Sequence, residues 1–123
     1  MLATLLAEAP TVDSMYARYI RERTWDEIIE TTWGFATYRW MADGKGVYII
    51  DIYVLPGRRT QGEAAAIADQ IVKIAKERGC TELFGTVDTS AKGSSDSVKV
   101  LLAYGMTPHS ANNNVIVFRK EIK

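Results

Sequence analysis

Between Val47 and Ala64 the chain reads VYIIDIYVLPGRRTQGEA. Two adjacent cations, Arg58 and Arg59, stand between a Pro-Gly stop and Gly62, and an amphipathic run follows to Arg78. A strand feeding a helix start leaves the first N–H groups of the helix without intrahelical acceptors, beside the positive end of the helix dipole. An anion suits that place, most naturally a phosphate or pyrophosphate. The chain has no G-x-x-x-x-G-K-[ST] and no G-x-G-x-x-G. Neither a nucleotide-hydrolysing loop nor a dinucleotide fold is therefore indicated.

Within this stretch each residue has two readings. Arg59 is expected to contact phosphate, and Arg58 either joins it or is plain surface charge. Gly62 reads as a point of close backbone approach, since a helix start does not require glycine. Asp51 is the one charge in the run from Val47 to Leu55, and strict alternation sets it with Ile49, Tyr53 and Leu55. Burial there suits a carboxyl to general-base work. The other reading is a structural carboxylate paired with Arg39 or Arg58. Trp33, Tyr38, Trp40 and Tyr48 line an acceptor pocket or belong to the core. Cys80 reads as a small buried residue, and His109 as a loop residue or a proton donor.

The elements that must position these residues form an α/β domain. The chain has 123 residues, 15 Lys+Arg against 15 Asp+Glu, one Cys and one His. That length is one domain, 1–123, with room for one core. Zero net charge argues against a nucleic-acid partner. The lone Cys80 excludes an internal disulfide and points to a reducing, cytoplasmic setting. The lone His109 leaves no zinc cluster and no Ser-His-Asp triad, so no metal is expected. No run is long enough for a membrane span. Met1–Ala7 lacks a basic start and reads as a packing segment rather than a signal peptide.

A first helix is expected from Pro10-Thr11-Val12-Asp13, capped by Thr11 or Asp13, with Met15, Tyr16, Tyr19 and Ile20 inward. Thr24-Trp25-Asp26-Glu27 predicts a second helix with a capping box. Gly34 to Met41 reads as a strand, Asp43 to Gly46 as a tight turn, and Val47 to Leu55 as a strand covered on both faces. From Gly62, the stripe Ala64, Ile67, Ala68, Ile71, Ile74 and Ala75 predicts a helix ending at Gly79. A strand over Leu83–Val87 follows. Then comes a helix capped by Ser94 or Ser95 with Val98, Leu101 and Leu102 inward. A final hairpin turns at Asn112–Asn114 and ends in the strand Val115 to Ile122.

Arg59-Thr60-Gln61-Gly62-Glu63-Ala64, an R-x-x-G-x-A pattern after Val54-Leu55-Pro56, resembles the acyl-coenzyme A pyrophosphate motif of the GNAT superfamily of N-acetyltransferases. Gly34-Phe35 resembles that family's early "GF" strand. Glu77-Arg78-Gly79-Cys80-Thr81-Glu82-Leu83 and Leu102-Ala103-Tyr104-Gly105-Met106 are similar to two later family segments. The resemblance covers roughly Gly34 to Ile122.

It implies a mixed, mostly antiparallel sheet flanked by helices, and acetyl-CoA as cosubstrate. It implies backbone at Tyr53, Val54 and Leu55 of a splayed strand for the thioester. Donors from Arg58, Arg59, Thr60, Gln61, Gly62, Glu63 and Ala64 would serve the pyrophosphate. Asp51 is then the candidate base for acetylating a primary amine, on a small molecule or a peptide, by direct attack. A homodimer is an open option.

Three departures stand beside it. No strand is evident before Thr11, unless Ala3–Ala7 is a remnant. Leu101 occupies the position where many members carry a tyrosine that protonates the leaving thiolate. Glu63 is good for the helix dipole and bad for a bound pyrophosphate. The alternatives are a non-catalytic coenzyme A-binding or interaction module, and a subunit completed by a partner.

Overall fold

The computed structural model describes residues 14–123. Expectations for Met1–Ala7 and for caps at Thr11 or Asp13 lie outside the described residues. In chain order come α1 (Met15–Thr24), β1 (Glu27–Glu30), β2 (Gly34–Trp40), β3 (Gly46–Val54), a 3-10 turn (Pro56–Arg58) and α2 (Glu63–Glu77). Then follow β4 (Glu82–Asp88), α3 (Ser94–Ala103), β5 (Thr107–Asn112) and β6 (Val115–Glu121). The sheet runs β1-β2-β3-β4-β6-β5, with β3–β4 parallel and the other neighbours antiparallel.

α2 carries the main core. Ile67, Ala68, Ile71 and Ala75 are buried against Ala36, Tyr38, Val47, Ile49, Leu83 and Phe118 of the sheet. The stripe at 3.6-residue spacing makes this helix, and burying each large side chain contributes about 1.5–3 kcal/mol. Val98 and Leu101 of α3 pack on the same side. α1 covers the other face, where Ala17, Ile20 and Ile28 form a second small cluster with Phe35.

Three expectations fail for local reasons. Glu27–Glu30 is a strand, not a helix. Thr24 ends α1 by donating its hydroxyl to Ile20 O at 2.8 Å, and Trp25 turns left-handed at φ 65°. Glu27 binds Arg21 at 2.9 Å instead of closing a capping box. Ile28 and Ile29 then alternate, one into each cluster. In α1, Ala17 and Ile20 are the buried residues, while Met15, Tyr16 and Tyr19 are exposed. In α3 the cap is Gly93 at φ 80°, and Ser94 is already helical, its hydroxyl donating to Thr89 O.

Gly34 belongs where β2 meets the end of β3. A Cβ there would overlap the carbonyl oxygen of Tyr53. The Gly-Phe pair thus permits a backbone approach that any side chain would block.

Candidate functional site

β3 and β4 bond each other only from Gly46↔Glu82 to Ile49↔Gly85. β3 runs on to Val54, while β4 runs on to Asp88 paired with β6. Beyond Ile49 the two strands fork. The backbone of β3 on that edge has no strand partner among the described residues, as the expected splay requires.

Next to the fork β3 bulges. Tyr38 pairs with Ile49 but Thr37 with Asp51, so Ile50 is an extra residue. A bulge shifts the alternation by one. Ile49, Ile52 and Val54 all face the α2 core, and Asp51 faces the other way with Tyr53. This overturns the buried setting expected for Asp51, which is exposed. It also has neither of the suggested ion-pair partners. Arg39 binds Asp26 at 2.6 Å and Arg58 binds Glu63 at 3.0 Å.

β3 ends in the turn. Leu55 donates its N–H to Trp33 O at 2.8 Å, and Arg58 its own to Leu55 O at 2.8 Å. Thr60 and Gly62 are left-handed, at φ 65° and 80°. Gly62 is the N-cap of α2 without a side-chain cap bond, and the first internal bond of this start runs from Ala66 N–H to Gly62 O. Residues 59–62 form a turn, and the N–H groups of Thr60, Gln61, Gly62, Glu63, Ala64 and Ala65 make no hydrogen bond of good geometry among the described residues. A Cβ built on Gly62 meets nothing within 4 Å. Glycine is therefore set here by its backbone angle, and the space above it is open.

The arginines are held inside this turn. Arg59 donates from Nε to Val54 O at 2.9 Å and lies over the Tyr53 ring at 5.5 Å. Arg58 lies over Trp33 at 4.4 Å. Glu63 is thus paired, which removes much of its repulsion toward an anion.

The four aromatics do not meet as one pocket. Tyr38 and Trp40 pack edge to face at 5.5 Å on the α2 side, whereas Trp33 lies under Arg58. Burial pushes the Tyr38 phenol up to about 12. Tyr48 faces the other side of the sheet and donates to Thr86 Oγ1 at 2.7 Å. Nothing in the sequence singles out Thr86, because the pair spans 38 positions. Only the β3–β4 register brings it together.

His109 is in β5, not in a loop, as the extra residue between Pro108 and Ser110, with its ring 6.0 Å from that of Phe84. Leu101 packs on the core. Tyr104 donates to Asp69 Oδ1 at 2.6 Å, tying α3 to α2. Burial, then this bond, raises its phenol. Cys80 is buried, and burial pushes its thiol up.

Among the described residues no three His, Cys, Asp or Glu gather as a metal would need, and no helix is long and apolar enough to cross a membrane.

The model of the acetyltransferase (GNAT) family matches residues 8–98. No curated protein sequence matches. Solved structures share the fold at low identity. A GNAT-family acetyltransferase from Elizabethkingia anophelis with acetyl-CoA bound superposes with TM-score 0.65 at 16% identity, over 95% of this chain and 86% of its own. The PaiA N-acetyltransferase from Thermoplasma acidophilum, in complex with coenzyme A, gives 0.68 at 15%, over 87% and 68%. An aminoglycoside 6'-N-acetyltransferase complexed with coenzyme A gives 0.68 at 12%, over 85% and 77%.

Proposed function

The chain belongs to the GNAT family of acetyltransferases, and from that premise we propose that it binds acetyl-CoA at the β3–α2 turn and acetylates a primary amine. The observation that supports the reading is the run of N–H groups from Thr60 to Ala65 without a well-formed hydrogen bond among the described residues, placed where the edge of β3 released by β4 ends. The pyrophosphate lies on that run, with Arg58, Arg59, Thr60, Gln61, Gly62, Glu63 and Ala64 forming its cradle. The pantetheine arm follows β3 along Leu55, Val54 and Tyr53, pairing with backbone as a strand would. The acetyl carbonyl comes to the fork.

Attack is direct. The lone cysteine is buried with a raised thiol, and the lone histidine lies against Phe84, so no activated nucleophile is at hand. Asp51, exposed just past the fork, is the candidate to take the proton of the amine, directly or through water. The acceptor is a small molecule or a peptide amine. The protein works in the cytoplasm as a single domain over residues 1–123, with a homodimer as the alternative to a monomer.

Acetyl-CoA at about 100 times its dissociation constant should stabilise the fold by about 2.7 kcal/mol. A thermal shift and calorimetry read this directly, and no shift at millimolar ligand removes the reading. The second reading is a coenzyme-binding module without turnover. Leu101, apolar where the resemblance leads one to expect a tyrosine, favours it. Binding without acetylation across a panel of amines would select it.

A further inference from the structure

The Tyr48–Thr86 hydroxyl pair sits astride the fork. The last β3–β4 partners are Ile49 and Gly85. Tyr48 precedes that pair on β3, and Thr86 follows it on β4. Their 2.7 Å bond therefore crosses between strands where backbone pairing stops. Val47, Ile49, Leu83 and Val87 face the α2 core, so Tyr48 and Thr86, alternating with them, stand on the opposite face.

From the core side the fork is apolar. Leu101 and Met106 lie 3.9 and 3.7 Å from the Cβ position of Gly85. The hydroxyl pair is thus the one proton source that the flanking positions of both strands present at the fork. Tyr48 donates its hydrogen bond to Thr86, and the hydrogen of Thr86 has no acceptor among the described residues. A hydroxyl that accepts from a phenol is polarised into a better donor. From Ile50 to Leu55 the extended backbone of β3 spans about 16 Å, a reach that an extended pantetheine arm matches between the turn and the fork.

We propose that Thr86, with Tyr48 behind it, protonates the sulfur that leaves as the acetyl group is transferred. The inference rests on the acetyl-CoA reading above. As the N–C bond forms and the C–S bond breaks, the C–S electron pair goes to sulfur. The Thr86 Oγ proton moves to sulfur, and the Tyr48 Oη proton moves to Thr86. Water then returns to Tyr48 the proton that the amine nitrogen sheds, so sulfur gains one proton and nitrogen loses one. The transient charge rests on a phenol, where it costs far less than on an alkoxide. Thr86 is the catalytic residue, and Tyr48 a positioning residue that acts through it.

The charged groups around the pair are in place for this. Arg39 is cross-strand from Tyr48 and held by Asp26 at 2.6 Å. Arg119 is cross-strand from Phe84 and bound to Glu82. Asp51 lies beyond the fork on β3. Asp88 ends β4 with its carboxylate on Ser90, whose bonds hold it below the usual carboxylate range.

The test is the ionisation of bound coenzyme A, which needs no acceptor. Coenzyme A labelled with 13C at the thiol-bearing carbon is titrated in complex with the parent, Thr86→Val, Thr86→Ser and Tyr48→Phe, with affinity followed by calorimetry. A donor on the sulfur favours the thiolate. The bound thiol should titrate about one unit lower in the parent than in Thr86→Val. Thr86→Ser should restore the parent value and Tyr48→Phe should fall between. Equal titration in the parent and Thr86→Val, or in the parent and Tyr48→Phe should Thr86→Val not fold, overturns the proposal while leaving coenzyme binding intact. Failure of the parent to bind coenzyme A overturns both this proposal and the reading beneath it.

Discussion

Arg58 and Glu63 close the turn on themselves, with Nη2 3.0 Å from Oε1. The two side chains are 37% and 20% exposed, so as a stabilising contact the pair is worth no more than about 1 kcal/mol. Its larger effect is on charge at the start of α2. Glu63→Gln should bind coenzyme A at least as well as the parent, because Arg58 is then released toward the anion. Arg58→Ala leaves a carboxylate alone beside the pyrophosphate and should weaken binding about tenfold, or about 1.4 kcal/mol. Calorimetry on the three proteins decides. Weaker binding by Glu63→Gln would mean that the carboxylate orders the turn.

Gly62 separates backbone strain from ligand contact. Its φ of 80° is costly for most residues and tolerable for asparagine. Gly62→Asn should melt within a few degrees of the parent, yet lose at least about tenfold in coenzyme affinity, since its side chain enters the open space above the turn. Normal affinity in a folded Gly62→Asn protein would mean that the pyrophosphate lies elsewhere.

Much of this was legible in the chain, and the misses have physical causes. The stripe in α2 and the turns at Asp43–Gly46 and Asn112–Asn114 follow from local rules, and the structure has them there. Glu27–Glu30 was misread because T-x-x-E fits a capping box as well as it fits a helix end with a carboxylate reaching back to Arg21. Met15, Tyr16 and Tyr19 look inward by periodicity, but α1 meets the sheet through Ala17 and Ile20. The orientation of Asp51 was lost at the bulge, because pairing with β2 sets the extra residue at Ile50. Thr86 carries no local signal at all. The left-handed turn before α2 could be read because it is set by backbone, whose angles glycine and the helix start announce.

Gly34 tests the fork's far boundary. Adding a methyl group at that position drives Cβ into Tyr53 O, and backbone cannot rotate away as a side chain could. Gly34→Ala should cost about 1–3 kcal/mol, seen as a lower Tm and a lower urea midpoint with unchanged m. A melting temperature equal to the parent's would show that β2 and β3 are looser there than the register implies.

Alkali should unfold the protein through its buried phenols. Burial pushes the Tyr38 phenol up to about 12 in the fold, against about 10 in an unfolded chain. The fold therefore holds the proton more tightly. The stability due to Tyr38 is whole below about pH 10 and is lost as pH rises toward 12, by up to about 1.4 kcal/mol per pH unit. Tyr104, raised by burial and by its bond to Asp69, adds a loss of the same sign. Urea melts at about pH 8 and about pH 11 should show Tyr38→Phe with the shallower decline. Parallel declines would mean that Tyr38 ionises without unfolding.

Asp51 is the sharpest test of turnover, because the bulge leaves it exposed and without an ion-pair partner among the described residues. Such a side chain has little structural work, and a substitution there is expected to change stability by no more than about 0.5 kcal/mol. Asp51→Asn should therefore keep both the melting temperature and the affinity for coenzyme A. If the carboxylate takes the proton of the amine, directly or through water, kcat should fall about 100-fold or more. The loss should shrink as pH rises, because more acceptor amine is then already neutral. A structural role would give another pattern, with stability, affinity and turnover falling together. An Asn variant working at the full rate would end the candidacy of Asp51. The acceptor would then have to lose its proton to solvent before binding, and the pH profile would carry the ionisation of the free amine alone.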